Sequence, residues 1–138
     1  MYDKSNHYLP ASGNPNRYTV LQWIHASEAT FMLHALAILY ARWNQKSGSV
    51  EETEAGLQKN VQKDLEYLET ELGKSNGKFL FGDEVTAADV SMHFSVSFIL
   101  ARELGTKGRK WERLEQYVRD CEEVGSYRKA VEKTGYAL

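Results

Sequence analysis

Cysteine occurs once in this sequence, at Cys121, and proline twice, at Pro10 and Pro15. A single cysteine closes no internal disulfide and supplies no thiolate cluster for a metal. The pattern suits a reducing compartment, with the cytoplasm as the expected location. Beyond residue 15 no proline interrupts the chain, and the apolar–polar alternation of half-buried strands is largely missing. An all-α body is the expectation. Long hydrophobic runs are also lacking: the longest mostly apolar stretch, Ala35 to Ala41, falls far short of the ~20 residues a membrane-crossing helix needs. Met1 leads into Tyr2-Asp3-Lys4-Ser5-Asn6, with no apolar segment of the kind a secretory signal carries. Neither sign of charge dominates, since 17 Lys and Arg face 19 Asp and Glu for a formal charge of −2 and a pI near 6.1. The charges are interleaved, so no basic face is offered to nucleic acid and no polybasic run to an anionic membrane.

What remains is an ordinary globular composition, 42% apolar and 26% charged over 138 residues, which fits one domain with one core. Residues 1–15 mix Asp, Lys, Ser, Asn, Gly and both prolines and read as a linker or tail; residues 16–138 read as the helical domain. The spacing predicts a first helix from about Asn16 to Asn44, with Asn14 as cap and Pro15 in the first turn. Between Ala29 and Trp43 its apolar residues run nearly all the way round, which predicts burial on most sides. Ser49 and Glu52 have the spacing of a capping box. The helix after them carries Leu57, Val61, Leu65, Leu68 and Leu72 on one face, with Lys59, Lys63, Glu66 and Glu69 on the other. A second box follows: Thr86 stands three residues before Asp89, and Val85 and Val90 are placed to form the hydrophobic staple around it. The helix that begins there continues through Met92, Phe94, Val96 and Ile99 to about Leu104 and is again apolar on most sides. Trp111, Leu114, Val118 and Cys121 mark one face of a further amphipathic helix, and Tyr127, Ala130, Val131 and Thr134 a short closing one. The sum is a bundle of about five helices, two central and three wrapped around them. Two helices with apolar perimeters leave surface for a partner domain, a second subunit or a ligand.

The stretch Phe79-Leu80-Phe81-Gly82-Asp83-Glu84-Val85-Thr86-Ala87-Ala88-Asp89 resembles the glutathione S-transferase superfamily, whose C-terminal domain carries a similar F-L-x-G-x-x-x-S/T-x-A-D run. Tyr8-Leu9-Pro10 resembles that family's lead-in to its interdomain linker. Gln22-Trp23-Ile24 with Ala26-Ser27-Glu28 is similar to the opening of the first C-domain helix in fungal and bacterial members. Ser126-Tyr127-Arg128-Lys129-Ala130 resembles the closing helix, with Gly125-Ser126 where a proline often precedes it. The resemblance extends over essentially the whole chain.

It implies that Val85, Thr86, Asp89 and Val90 form a buried structural cap rather than a catalytic group. It also implies that the part of the first helix carrying Gln22, His25, Glu28 and Met32 lines a cleft for a hydrophobic electrophile, or a subunit interface. A solvated His25–Glu28 pair is the simpler alternative for two of these residues. Glutathione as co-substrate, a thioredoxin-like partner domain and a homodimer come with the resemblance. In that family the glutathione site is built mainly by the thioredoxin-like half, with its cis-proline and its Ser, Tyr or Cys near the thiol. None of these lies in this sequence, so no catalytic residue is assigned. Similar helical domains are attached to translation factors and aminoacyl-tRNA synthetases as protein-interaction modules, which is the competing expectation; a stand-alone ligand carrier is a third. His25 and His34 sit about 180° apart on a regular helix and His93 on another helix, so no metal site is expected. Cys121, beside Val118, reads as a small buried hydrophobe, and the Trp and Tyr residues as core.

Overall fold

The structure is a computed structural model and describes residues 3–136; the expected domain end at Leu138, and the Met1-Tyr2 lead, lie outside the described residues. The helices are α1 (Asn16–Ala26), α2 (Leu33–Asn44), α3 (Val50–Lys74), α4 (Ala87–Ala101), α5 (Glu112–Glu122) and α6 (Gly125–Thr134). A π-helical segment, Ser27–Met32, joins α1 to α2 without a break, so five helical rods make the bundle. Among the described residues no strand forms; Phe79 and Gly82 alone pair across a tight turn.

Local chemistry sets the boundaries. Asn14 Oδ1 accepts the Asn16 N–H at 2.9 Å, and Pro15 already has helical backbone angles where its missing N–H costs nothing. Ser49 caps α3 by accepting the Glu52 N–H at 3.1 Å. The expected reciprocal bond, from the Ser49 N–H to the Glu52 carboxylate, does not form; separately, the Ser49 hydroxyl donates to Glu51 at 2.8 Å. Ahead of α4 the chain turns at Gly82, whose φ of +113° is a conformation that side chains disfavour.

The first rod departs from expectation. A π turn takes one more residue than an α turn, which rotates everything downstream by about 100°. The carbonyls it loosens are met from outside the ladder: Ser95 on α4 donates to the Ser27 carbonyl at 3.1 Å. The rod is buried on one side only, through Val20, Trp23, Phe31, Ala35 and Ile38. The sequence pattern overstated its burial between Ala29 and Trp43, since Leu33, Tyr40 and Trp43 are all more than half exposed.

Packing follows the amphipathic faces. α2 lies chiefly against α3 and α1 against α4, while α5 bridges α3 and α4 and α6 rests on α5. On α3 the residues Val61, Leu65, Leu68 and Leu72 are fully buried and Leu57 half-buried; each fully buried side chain stabilises by about 1.5–3 kcal/mol. α4 is the truly central helix, with Met92, Val96 and Ile99 at its heart. On α5 the main core residue is Tyr117, with Leu114 and Cys121; Val118, assigned to that face from spacing, is only half-buried.

Candidate functional site

Three places in the bundle carry more than packing. The first is the start of α4. Thr86 and Asp89 close a reciprocal capping box, in which the Thr86 N–H and hydroxyl donate to Asp89 Oδ2 at 2.8 and 2.7 Å. The other carboxylate oxygen accepts the Leu80 N–H at 3.0 Å and the Tyr117 hydroxyl at 3.2 Å. Asp89 is fully buried, and these four donors replace the water it has lost. Burial, with the charge of Asp89 next in weight, pushes the Tyr117 hydroxyl well above the ordinary tyrosine range. The arrangement is structural: every lone pair is directed at the protein. Val85 is half-buried beside the cap, whereas Val90 is 60% exposed, so the two valines do not seal it from solvent. The Ala87 N–H donates to the Tyr8 carbonyl at 2.9 Å, which ties residues 3–15 to this same helix start.

The second place is the outer face of the first rod. Tyr18, Gln22, His25 and Ala29 form one exposed line, and Leu33, Ala37, Tyr40 and Asn44 continue it beyond the π turn. This ridge is mainly apolar and carries no Lys, Arg, Asp or Glu. Glu28 is exposed beside it. Met32 is not: the π turn carries it to the inner side, where it is 5% exposed. The structure therefore brings Gln22, His25 and Glu28 to one surface and separates Met32 from them. His34 leaves the ridge for a hydrogen bond with Asp64, Nδ1 to Oδ2 at 2.6 Å, a cross-helix partnership that spacing along one helix could not reveal. Of the aromatic residues expected in the core, Trp23, Trp111 and Tyr117 are buried, whereas Tyr18, Tyr40, Trp43 and Tyr67 are surface groups. Tyr67 lies flat on Trp23, ring centroids 5.4 Å apart at 16°.

The third is a cavity of about 300 Å³ between α4, α5 and α6. His93, Phe94, Cys121 and Tyr127 are among its walls. His93 is 7% exposed and its Nε2 has no hydrogen-bond partner; Glu122 Oε1, at 3.8 Å, is too distant for one. Burial lowers the His93 pKa, and the attraction of Glu122 only partly opposes this, so the ring is neutral near pH 7. Cys121 is buried and its thiol is pushed up to about 12, mainly by burial, which removes it as a nucleophile. Among the described residues no group of His, Cys, Asp and Glu is arranged to hold a metal ion, and no helix is long and apolar enough to cross a membrane.

Comparison with known proteins bears on what this architecture is. The family described as glutathione S-transferase, C-terminal domain, matches residues 32–133. Among curated proteins none matches the chain. A glutathione S-transferase from Actinobacillus pleuropneumoniae is similar in structure over 100% of this chain and 60% of its own, with a TM-score of 0.75 and 20% identity. One from Methylococcus capsulatus is similar over 95% of this chain and 60% of its own, with a TM-score of 0.74 and 21% identity. A sphingomonad glutathione S-transferase, solved in complex with glutathione, is similar over 96% and 61%, with a TM-score of 0.72 and 16% identity. The chain thus spans about 60% of the length of these structures.

Proposed function

Because this chain belongs to the glutathione S-transferase family through its C-terminal domain, we propose that it works as the helical half of a glutathione-dependent transferase. In this reading the outer face of the first rod, with Gln22, His25 and Glu28, walls the cleft for a hydrophobic electrophile and continues into the contact between two copies. The exposed apolar ridge supports it: Tyr18 and Leu33 are 77% and 60% exposed, and contiguous apolar surface of this kind marks an interaction site. The working compartment is the cytoplasm, in keeping with one buried free thiol.

Glutathione itself does not fit the residues of this ridge. The tripeptide carries two carboxylates, and the ridge offers no Lys or Arg to pair with them. The co-substrate therefore comes with a thioredoxin-like half, which meets this domain near the start of α4, where Tyr8 is already bonded to Ala87. The helical half contributes position, holding the electrophile where a thiolate delivered from the other half can reach it.

Light scattering on the purified chain tests the ridge. A dimer that Leu33→Asp with Tyr40→Asp converts to a folded monomer is the expected result. A wild-type monomer, or a dimer indifferent to both changes, contradicts the role given to this face. Binding of a partner protein through the ridge without any effect of nitroaromatic ligands would favour the interaction-module reading instead.

A further inference from the structure

The lead-in to the bundle has the composition of a flexible tether, but residues 3–10 are folded onto it. The Asp3 carboxylate gathers three backbone N–H groups: Oδ1 accepts that of His7 at 2.9 Å, and Oδ2 accepts those of Tyr8 and Leu9, each at 3.0 Å. Asn6 turns the chain back on itself with a φ of +54°, a conformation asparagine tolerates better than most residues. The closed loop is then fixed to the bundle at three points. The Tyr8 carbonyl accepts the Ala87 N–H at 2.9 Å, Leu9 is half-buried against the core, and Arg17 on α1 donates to the Pro10 carbonyl. We propose that residues 3–10 are a rigid arm rather than a tether, with Asp3 as the latch that holds it against the start of α4.

Each attachment has a physical reason. Ala87 is the first residue of α4, and its N–H is one of those a helix leaves without an internal partner. The capping box satisfies the N–H groups of Thr86 and Asp89, and Tyr8 supplies the acceptor for the one between. Tyr8 and Leu9 can dock only with their own N–H groups already placed, and Asp3 places both. A carboxylate is an acceptor on each of its oxygens, and its charge makes such bonds roughly twice as strong as neutral ones. A short polar loop thereby keeps its shape in water. The exposed approach of His7 to Glu84, at 3.6 Å, adds little to this. One consequence rests on the reading of this chain as a helical half: a preceding half is held at a fixed angle to α4 and the cleft wall instead of swinging from the start of α1. An electrophile on that wall then stays within reach of a thiolate carried by the other half.

Heteronuclear amide relaxation and hydrogen exchange on this chain, on Asp3→Ala and on Ser5→Ala test the arm. In the wild type, residues 4–9 should be as ordered as α4 on the picosecond–nanosecond timescale. The Asp3 carboxyl should titrate below its ordinary 3.8, held down first by the Leu9 N–H. Asp3→Ala should give residues 4–9 the relaxation of a free tail and speed exchange at His7, Tyr8, Leu9 and Ala87 about tenfold. The helices should keep their spectra. Ser5→Ala should leave the arm ordered, since that hydroxyl reaches Asp3 at only 3.4 Å. Tail-like relaxation of residues 4–9 in the wild type would overturn the proposal. So would an arm that stays ordered in Asp3→Ala, one that loosens equally in Ser5→Ala, or an Asp3 that titrates at its ordinary value. None of these readouts involves a ligand or a second copy, so failure here leaves the transferase reading standing, and failure of that reading leaves the arm.

Discussion

The Tyr117 hydroxyl donates to Asp89 Oδ1 at 3.2 Å, so α5 is fastened to the first turn of α4 through a fully buried carboxylate. The other oxygen of that carboxylate holds Thr86, and the oxygen facing Tyr117 also holds the Leu80 N–H. One side chain thus joins a loop, a helix start and a second helix. Asp89→Ala leaves several buried donors unsatisfied and should cost about 3 kcal/mol, lowering Tm by roughly 10 °C in a domain of this size. Tyr117→Phe leaves the carboxylate its other donors and should cost only about 1 kcal/mol. Thermal melts of the two variants check the ordering.

Arg42 joins three elements at the opposite end of the bundle. It grips Glu54 with two hydrogen bonds, Nε to Oε2 at 3.0 Å and Nη2 to Oε1 at 2.7 Å. It also donates to the Arg102 and Glu103 carbonyls that end α4, each at 3.0 Å. The hydrogen bond from Arg42 is the largest cause holding the Glu54 pKa below its ordinary 4.5. A depressed carboxylate pKa contributes stability that is present above the unfolded value and lost as pH falls through the folded one. The stability advantage of wild type over Glu54→Gln, measured by urea denaturation, should therefore be full at pH 7 and shrink below pH 4.5. Both side chains are partly solvated, so that advantage should be about 1 kcal/mol.

Glu69 on α3 does the work of a cap for a helix it does not belong to. Its carboxylate accepts the Arg113 N–H at 3.0 Å and the Leu114 N–H at 2.7 Å, while Trp111, at the N-cap position of α5, offers no side-chain bond. Glu69→Ala should cost about 1–2 kcal/mol, the usual worth of a lost helix cap. Hydrogen exchange should accelerate first at the amides of Arg113 and Leu114.

Two glycines should respond in opposite directions to the same change. Gly105 has φ +73°, and a Cβ there would meet Ile38 Cδ1 at 2.8 Å and the Gln58 backbone at 3.1 Å. Gly105→Ala should destabilise by about 2–4 kcal/mol, from backbone strain and overpacking together. Gly56 lies inside α3 with open space around it, so Gly56→Ala should stabilise by about 0.5–1 kcal/mol. Denaturation midpoints of the two variants on either side of wild type would bear this out.

The sequence made some of these features legible and hid others for definite reasons. The helix at Val50–Lys74 could be read from periodicity, the start of the one at Ala87–Ala101 from its capping box, and the all-α class from the scarcity of proline and of strand-like alternation. Spacing also placed Thr86 opposite Asp89, but the Leu80 and Tyr117 bonds that complete the carboxylate come from tertiary contact. The π turn at Ser27–Met32 escaped notice because its sequence has no breaker; Ser95, 68 residues away, helps to hold it. From that one missed turn came the misplacement of Met32; the overstated burial of the first rod came from reading an apolar perimeter as contact on every side. The His93 cavity was also missed. Its walls come from three helices, and only the absence of a partner for Nε2, visible once those helices are assembled, sets it apart.

In the proposed function this helical half presents a wall to the electrophile and leaves glutathione to another domain. Amide spectra of the chain, titrated separately with glutathione and with the unreactive nitroaromatic 2,4-dinitrotoluene, test it directly. Millimolar glutathione should leave the spectrum unchanged, while the nitroaromatic should shift amides around Gln22, His25 and Glu28. Saturable binding of glutathione to this chain alone, or a nitroaromatic response that bypasses that ridge, would contradict it.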